Sequence, residues 1–193
     1  FGTSEMKILL FSRRGVVHAA DELRRTFAAI DQYGFDYLVN KEFAETIREL
    51  GVALIPAEKE YDRSSQALAG DDDKAMVCYG GDGTLLEGIR LLGGALVPVV
   101  GINAGHMGFL TGGRKDAIEA LFGEIARGEL RIEQRTMLCV EGDIAGMPRQ
   151  ALAVNEAAVQ RSGAGMISVE CYVDAQQVAT YYGDGVIVST PSP

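Results

Sequence analysis

Three glycines and an acid crowd into Gly80-Gly81-Asp82-Gly83-Thr84, directly after the apolar run Ala75 to Tyr79 and directly before a helical pattern from Thr84 to about Leu92. Glycine permits positive φ and lets backbone amides approach a ligand closely. Such amides, with the N-terminus of the following helix, form a cradle for phosphate. Asp82 does not fit as a phosphate ligand, because its charge would repel one. An acid inside an anion cradle is explained as a base for a hydroxyl, or as a partner for a metal carried on the phosphates. The plainer alternative is a tight strand-to-helix turn with a capping Asp.

A second glycine-rich stretch, GINAGHMGFL at 101 to 110, again ends a buried strand, where open α/β sheets place their ligand crevice. Phe109 offers a flat face to a base or ring. A glycine-rich connection with Phe109 in the core explains the stretch equally well. His106 reads as a loop residue and His18 as an exposed residue at a helix start. Asn155-Glu156 sets an amide, able to read an adenine edge, beside a carboxylate able to accept from two ribose hydroxyls. Alone, that pair carries no signal. Asp184-Gly185, ahead of Val186 to Pro191, reads as a turn. No GxxxxGK[ST] occurs, and no GxGxxG follows a strand, so neither a Walker-type phosphate loop nor a hydride-transfer dinucleotide fold has support.

The elements that must position these residues follow from periodicity. An apolar strand at 7 to 12 precedes helix-spaced Val16, Ala20, Leu23, Phe27 and Ile30. A helix at about 41 to 50 ends at Gly51, and Val52 to Ile55 reads as a strand stopped by Pro56. Polar residues from Glu58 to Asp73, including Asp71-Asp72-Asp73, read as a solvated loop. Leu96 to Ile102 is apolar throughout, as in a strand covered on both faces, and a helix follows at about 115 to 127. This rhythm predicts a Rossmann-like α/β domain with a parallel sheet over residues 6–130. Beyond it, alternation such as Ile167-Ser168-Val169-Glu170-Cys171 predicts a mainly antiparallel β domain over 131–193.

Composition removes other classes. The 193 residues carry 18 Lys+Arg against 27 Asp+Glu, a net charge of −9, with 47% hydrophobic residues. That balance excludes a disordered chain and disfavours nucleic acid and anionic membrane as partners. The pairs Arg13-Arg14 and Arg24-Arg25 are too short to form a basic patch. Cys78, Cys139 and Cys171 form no CxxC pair and read as small buried hydrophobes of a reducing cytoplasm.

The four pieces, in this order, resemble the NAD kinase family: GGDGT at 80 to 84, GINAGHMGFL at 101 to 110, NE at 155 to 156 and DGVIVSTPS at 184 to 192. GGDGT alone is shared with diacylglycerol and sphingosine kinases; the joint set is far more specific. The resemblance implies transfer of a phosphoryl group from ATP, or in some bacterial members polyphosphate, to the 2′-hydroxyl of the adenosine ribose of NAD. It implies Asp82 as catalytic acid/base, with Gly80, Gly81, Gly83 and Thr84 facing the phosphates. It assigns Asp82, Gly83, Phe109, Asn155, Glu156, Asp184 and Ser192 to the dinucleotide. It further implies a divalent cation such as Mg2+ with ATP, whose protein ligands stay unassigned, no tightly bound organic cofactor, and a homodimer or homotetramer. The family continues STPxG into STAY, whereas this chain reads Ser192-Pro193, so the β domain is expected to be incomplete. A lipid kinase sharing GGDGT and a non-catalytic dinucleotide-binding module are the rival readings.

Overall fold

The computed structural model describes residues 6–68, 73–103, 113–114, 117–143, 146 and 150–192, without the side chains of 67 and 114. Its first unit ends at Ile132 and its second begins at Glu133. In the first, β1 (Lys7–Phe11) carries an apolar run from Ile8 to Phe11 buried on both faces, as a central parallel strand must be. The chain continues through α1 (Ala20–Tyr33), β2 (Asp36–Asn40), α2 (Lys41–Glu49), β3 (Glu60–Tyr61) and β4 (Lys74–Tyr79). Then come α3 (Asp82–Leu92), β5 (Val99–Asn103), β6 (Gly113–Arg114) and α4 (Ile118–Arg127).

The six strands form one parallel sheet in the order β3-β2-β1-β4-β5-β6. The chain steps outward from β1 to β3 and then returns to the other side of β1 as β4. The topological switch therefore lies between β1 and β4, and the crevice opens at their C-terminal ends. Side-chain alternation sorts the core into two layers. Ile8, Leu10, Ala75, Val77 and Tyr79 face α1, α2 and α4, while Leu9, Phe11, Met76 and Cys78 pack with Leu92 of α3. Arg25 of α1 grips Glu119 of α4 with two nitrogens at 2.5 Å, which holds that carboxyl down to about 2.

Several local expectations change. β2 occupies a stretch between the first two helices to which the periodicity assigned no element. Val52 to Ile55 is not a strand: Val52 N–H stays on Ile47 C=O of α2, Leu54 faces solvent, and β3 takes the sheet edge. Leu96 is exposed and its strand starts only at Val99. α1 starts at Ala20 rather than Val16, and His18 ahead of it is buried, not exposed. Of the cysteines, Cys78 is buried, but Cys139 is exposed and Cys171 half-buried. Both lie in two-stranded ribbons whose faces are largely open.

The second unit is made of such ribbons, all antiparallel: β7 (Leu138–Glu141) with β8 (Gln150–Ala153), β9 (Glu156–Gln160) with β12 (Gly185–Ser189), and β10 (Ile167–Val173) with β11 (Gln176–Gly183). Among the described residues no helix is long and apolar enough to cross a membrane.

α3 lies close on the sheet because Gly88 has no side chain. A Cβ there would stand 2.7 Å from Cys78 Sγ, 3.0 Å from Met76 Sδ and 3.2 Å from Phe11 Cδ1. Gly88→Val should therefore lose about 1–3 kcal/mol to overpacking despite valine's better helix propensity. Urea unfolding measures it; an unchanged midpoint would show that α3 rides higher than described.

Candidate active site

β4 delivers the chain to the switch point, and the turn into α3 takes two residues. Gly80 leaves the strand at φ +152°, with its N–H on Ile102 C=O of the neighbouring strand at 2.9 Å. A Cβ at Gly80 would overlap Thr84 Oγ1 and stand 2.8 Å from Thr84 Cβ, so only glycine fits. Gly81 is the N-cap and supplies no side-chain cap. The first amides of α3 have no intrahelical acceptor, and they open at the C-terminal end of the sheet. Asp82 is the first helical residue, so its carboxylate sits at the positive end of the helix dipole. Thr84 is buried, and its Oγ1 has no hydrogen-bond partner among the described residues. The four turn residues and Asp82 are thus one structural unit.

The end of β1 is tied to the end of β4 by a short polar chain. Ser12 Oγ–H donates to Tyr79 C=O at 2.7 Å, because a carbonyl can only accept. Ser12 Oγ must then accept from His18 Nε2–H at 2.9 Å. Nε2 therefore carries a proton, while Nδ1 is buried with no partner among the described residues, and burial disfavours the charged ring. Phe43 and Tyr79 close around the ring at centroid distances of 5.0 and 6.4 Å. Burial holds the His18 pKa below its ordinary value and pushes up the Tyr79 phenol, whose hydroxyl bonds Thr26 Oγ1, and the Cys78 thiol. Neither Tyr79 nor Cys78 can ionise usefully near neutrality. They are scaffold.

The sequence reading passed over Arg13. Its guanidinium lies broadside to Gly83: a Cβ on Gly83 would meet Nη1 at 3.4 Å and Cζ and Nη2 both at 3.7 Å. Arg14 turns the other way, to Glu42 and Glu45 of α2 at 3.9 and 3.8 Å. Counting adjacent basic residues hides this division, because the chain turns after β1 and sends the two side chains to different neighbours. The usable signal was position: Arg13 follows β1, the strand that borders the switch.

In the second unit, Asn155 lies in the bend between β8 and β9, and Glu156 opens β9. Thr190 fixes this bend, its N–H on Asn155 C=O at 2.7 Å and its hydroxyl on Val154 C=O at 2.6 Å. Ser192 is close by, its N–H on Thr190 Oγ1 at 3.1 Å and its hydroxyl meeting Arg135 Nη1 at 3.0 Å. Asn155, Glu156 and Ser192 therefore share one end of the β9–β12 ribbon. Asp184 does not join them. The register pairs Gly185 with Gln160 and Ser189 with Glu156, which puts Asp184 at the far end, its carboxylate on Arg161 Nε at 2.8 Å. Phe109 and the loop residues 104 to 112 lie outside the described residues.

Among the described residues no group of three His, Cys, Asp or Glu side chains is placed to hold a metal ion. A Mg2+ ion that arrives on nucleotide phosphates keeps several waters and needs only one or two carboxylates. Asp82, the first residue of α3 in the glycine turn, has the chemistry for such a contact.

Residues 10–130 match the ATP-NAD kinase N-terminal domain. The chain is 30% identical to an NAD kinase of Christiangramia forsetii, over 97% of its own length and 64% of that protein's. It is 40% identical to an NAD kinase of Wolinella succinogenes over 66% of its own length and 44% of that protein's. The chain thus spans roughly half to two thirds of the length of these curated relatives. In fold it is similar to yeast NADH kinase complexed with NADH, with a TM-score of 0.80 at 18% identity, covering 98% of this chain and 58% of that one.

The buried neutral His18 gives the site a pH signature. With a folded pKa below the ordinary value, the unfolded chain binds the extra proton first, so stability falls as pH drops below about 6.5. Urea unfolding between pH 7.5 and 5.5 should show this loss, and His18→Gln should flatten it. Parallel profiles for both proteins would contradict a buried neutral imidazole.

Proposed function

Because this chain belongs to the NAD kinase family, we propose that it transfers the γ-phosphoryl of ATP to the 2′-hydroxyl of the adenosine ribose of NAD, forming NADP. The observation that carries the reading is the carboxylate of Asp82 set as the first residue of α3, inside a glycine cradle at the strand switch. A pure phosphate binder gains nothing from an acid there. A kinase whose acceptor is an alcohol needs one.

The chemistry needs little beyond placement and charge. Phosphoryl transfer proceeds in line, and the enzyme contributes positioning and electrostatic stabilisation. Asp82 accepts the proton of the ribose 2′-hydroxyl as that oxygen bonds to the γ-phosphorus. The bond from the γ-phosphorus to the bridging oxygen breaks, and ADP leaves. The amides at the start of α3, with Gly80, Gly81, Gly83 and Thr84 shaping the turn, face the transferring phosphoryl. A divalent cation on the phosphates would supply further charge neutralisation, with Asp82 the turn carboxylate able to meet it.

On the dinucleotide side the proposal uses Asn155, Glu156 and Ser192, which one ribbon end brings together, along with Gly83 and Phe109. Asp184 enters by exchanging Arg161 for a ribose hydroxyl. Its carboxylate is largely exposed, and an ion pair in that setting contributes only about 0–1 kcal/mol, so the exchange costs little. Polyphosphate as an alternative donor, assembly into a dimer or tetramer and a cytoplasmic location belong to the same proposal. The lipid-kinase reading loses its ground, since the family match over residues 10–130 covers the GGDGT turn and nearly all of its α/β domain.

The test is Asp82→Asn in the full-length protein, assayed for NADP formation and, by calorimetry, for NAD binding. Turnover should fall about 10²–10⁴-fold with NAD affinity within a few-fold of the parent. Near-normal turnover would remove Asp82 from the chemistry.

A further inference from the structure

We propose that Arg13 is a ligand of the donor's polyphosphate chain, completing the anion cradle from the strand opposite the glycine turn. The inference rests on the kinase reading above and names a residue that neither the motif set nor the family match singles out.

The argument starts from the switch point. In a sheet of this order, the loops after β1 and β4 flank the switch point. The β4 loop supplies glycine amides and Asp82. The β1 loop supplies Ser12 and Arg13. Strand alternation, continued two residues past Phe11, sends Ser12 inward to His18 and Tyr79, and sends Arg13 toward the α3 layer. There the guanidinium lies over Gly83, the second residue of α3, with its three nearest atoms almost equidistant from the missing Cβ. A guanidinium packed beside Gly83 brings a rigid set of N–H donors next to the turn, the chemistry that suits phosphate oxygens.

Two further observations point to a ligand. Thr84 Oγ1 is buried, aimed back at Gly80 and unpartnered among the described residues, so the turn holds polar capacity that the described protein does not use. Arg13 is exposed, while its neighbour Arg14 is engaged with Glu42 and Glu45. A net charge of −9 repels a tetraanionic donor, and Asp82 adds a negative charge inside the cradle. A guanidinium one residue away offsets that charge locally.

The same geometry selects the donor over the pyrophosphate of NAD. If Asp82 meets the acceptor hydroxyl, in-line attack sets the transferring phosphoryl about 3–3.5 Å from that oxygen. The nearest anion to Asp82, and so to Gly83 and Arg13, is then the donor's terminal phosphate.

The experiment measures binding of inorganic triphosphate and of NAD by calorimetry to the full-length protein and to Arg13→Ala, Arg13→Lys and Arg14→Ala, alongside steady-state kinetics. Triphosphate binding should weaken about 10–100-fold in Arg13→Ala, since a charge-assisted contact is lost. Arg13→Lys should keep part of it, Arg14→Ala should match the parent, and NAD affinity should stay within twofold throughout. The KM for ATP should rise in step while the KM for NAD does not. Unchanged triphosphate binding in Arg13→Ala, or a loss confined to NAD, overturns the proposal. Failure of the parent protein to bind triphosphate also overturns it. The binding arm does not depend on turnover: absence of NADP formation with triphosphate binding still lost in Arg13→Ala would refute the kinase reading and leave Arg13 as an anion ligand.

Discussion

Gly80 leaves β4 with φ +152° and with Thr84 packed where its Cβ would be, so the chain can pass from strand to helix in two residues only if position 80 has no side chain. The glycine-turn half of the candidate site depends on that tight passage. It sets Asp82 at the first turn of α3, and it leaves the early amides of that helix open at the C-terminal end of the sheet. The passage is held at its base by Gly80 N–H on Ile102 and by the Ser12 link to Tyr79 C=O, one residue before the turn. Gly88 plays the matching part further along α3, letting the helix settle onto Phe11, Met76 and Cys78. Two glycines thus fix where the helix starts and how closely it lies.

The resulting site resolves an electrostatic difficulty. A chain of net charge −9 proposed to act on anionic nucleotides must concentrate attraction in a small volume. Backbone amides do this without adding a side chain, and the helix dipole points the same way. In the proposed cradle, Arg13 adds a fixed charge from the segment that follows β1. Asp82 works against that attraction, and this is the strongest physical reason to give it a chemical role. It is the one group in the cradle whose charge is wrong for binding and right for taking a proton.

Much of this was legible in the sequence because it is local. The GGDGT turn, its preceding strand and its following helix are contiguous, and the change from helix-spaced to alternating apolar residues marks the passage from the α/β sheet to antiparallel ribbons. What the sequence hid was non-local. β2 and β3 exist because β1 offers an edge to pair with, and Val52 to Ile55 loses its strand because β3 takes that edge first. His18 looked exposed because its burial depends on Ser12, Phe43 and Tyr79, which come from three separate segments. Cys139 and Cys171 have strand-like neighbours, but two-stranded ribbons cannot cover both of their faces. Arg13 was counted as half of a short basic pair, whereas the sheet places it alone over Gly83. Asn155, Glu156 and Ser192 converge through the β9–β12 register, which no spacing rule reveals.

The central claim is one of placement: donor phosphate at the start of α3, acceptor hydroxyl at Asp82. A crystal structure of the full-length protein with NAD and a non-hydrolysable ATP analogue measures it directly. The account predicts the terminal phosphate against the amides of Asp82 and Gly83, beside Arg13, with the Asp82 carboxylate in hydrogen-bond reach of the adenosine ribose 2′-hydroxyl. The pyrophosphate of NAD lying in that cradle, with Asp82 distant from any hydroxyl, would contradict it.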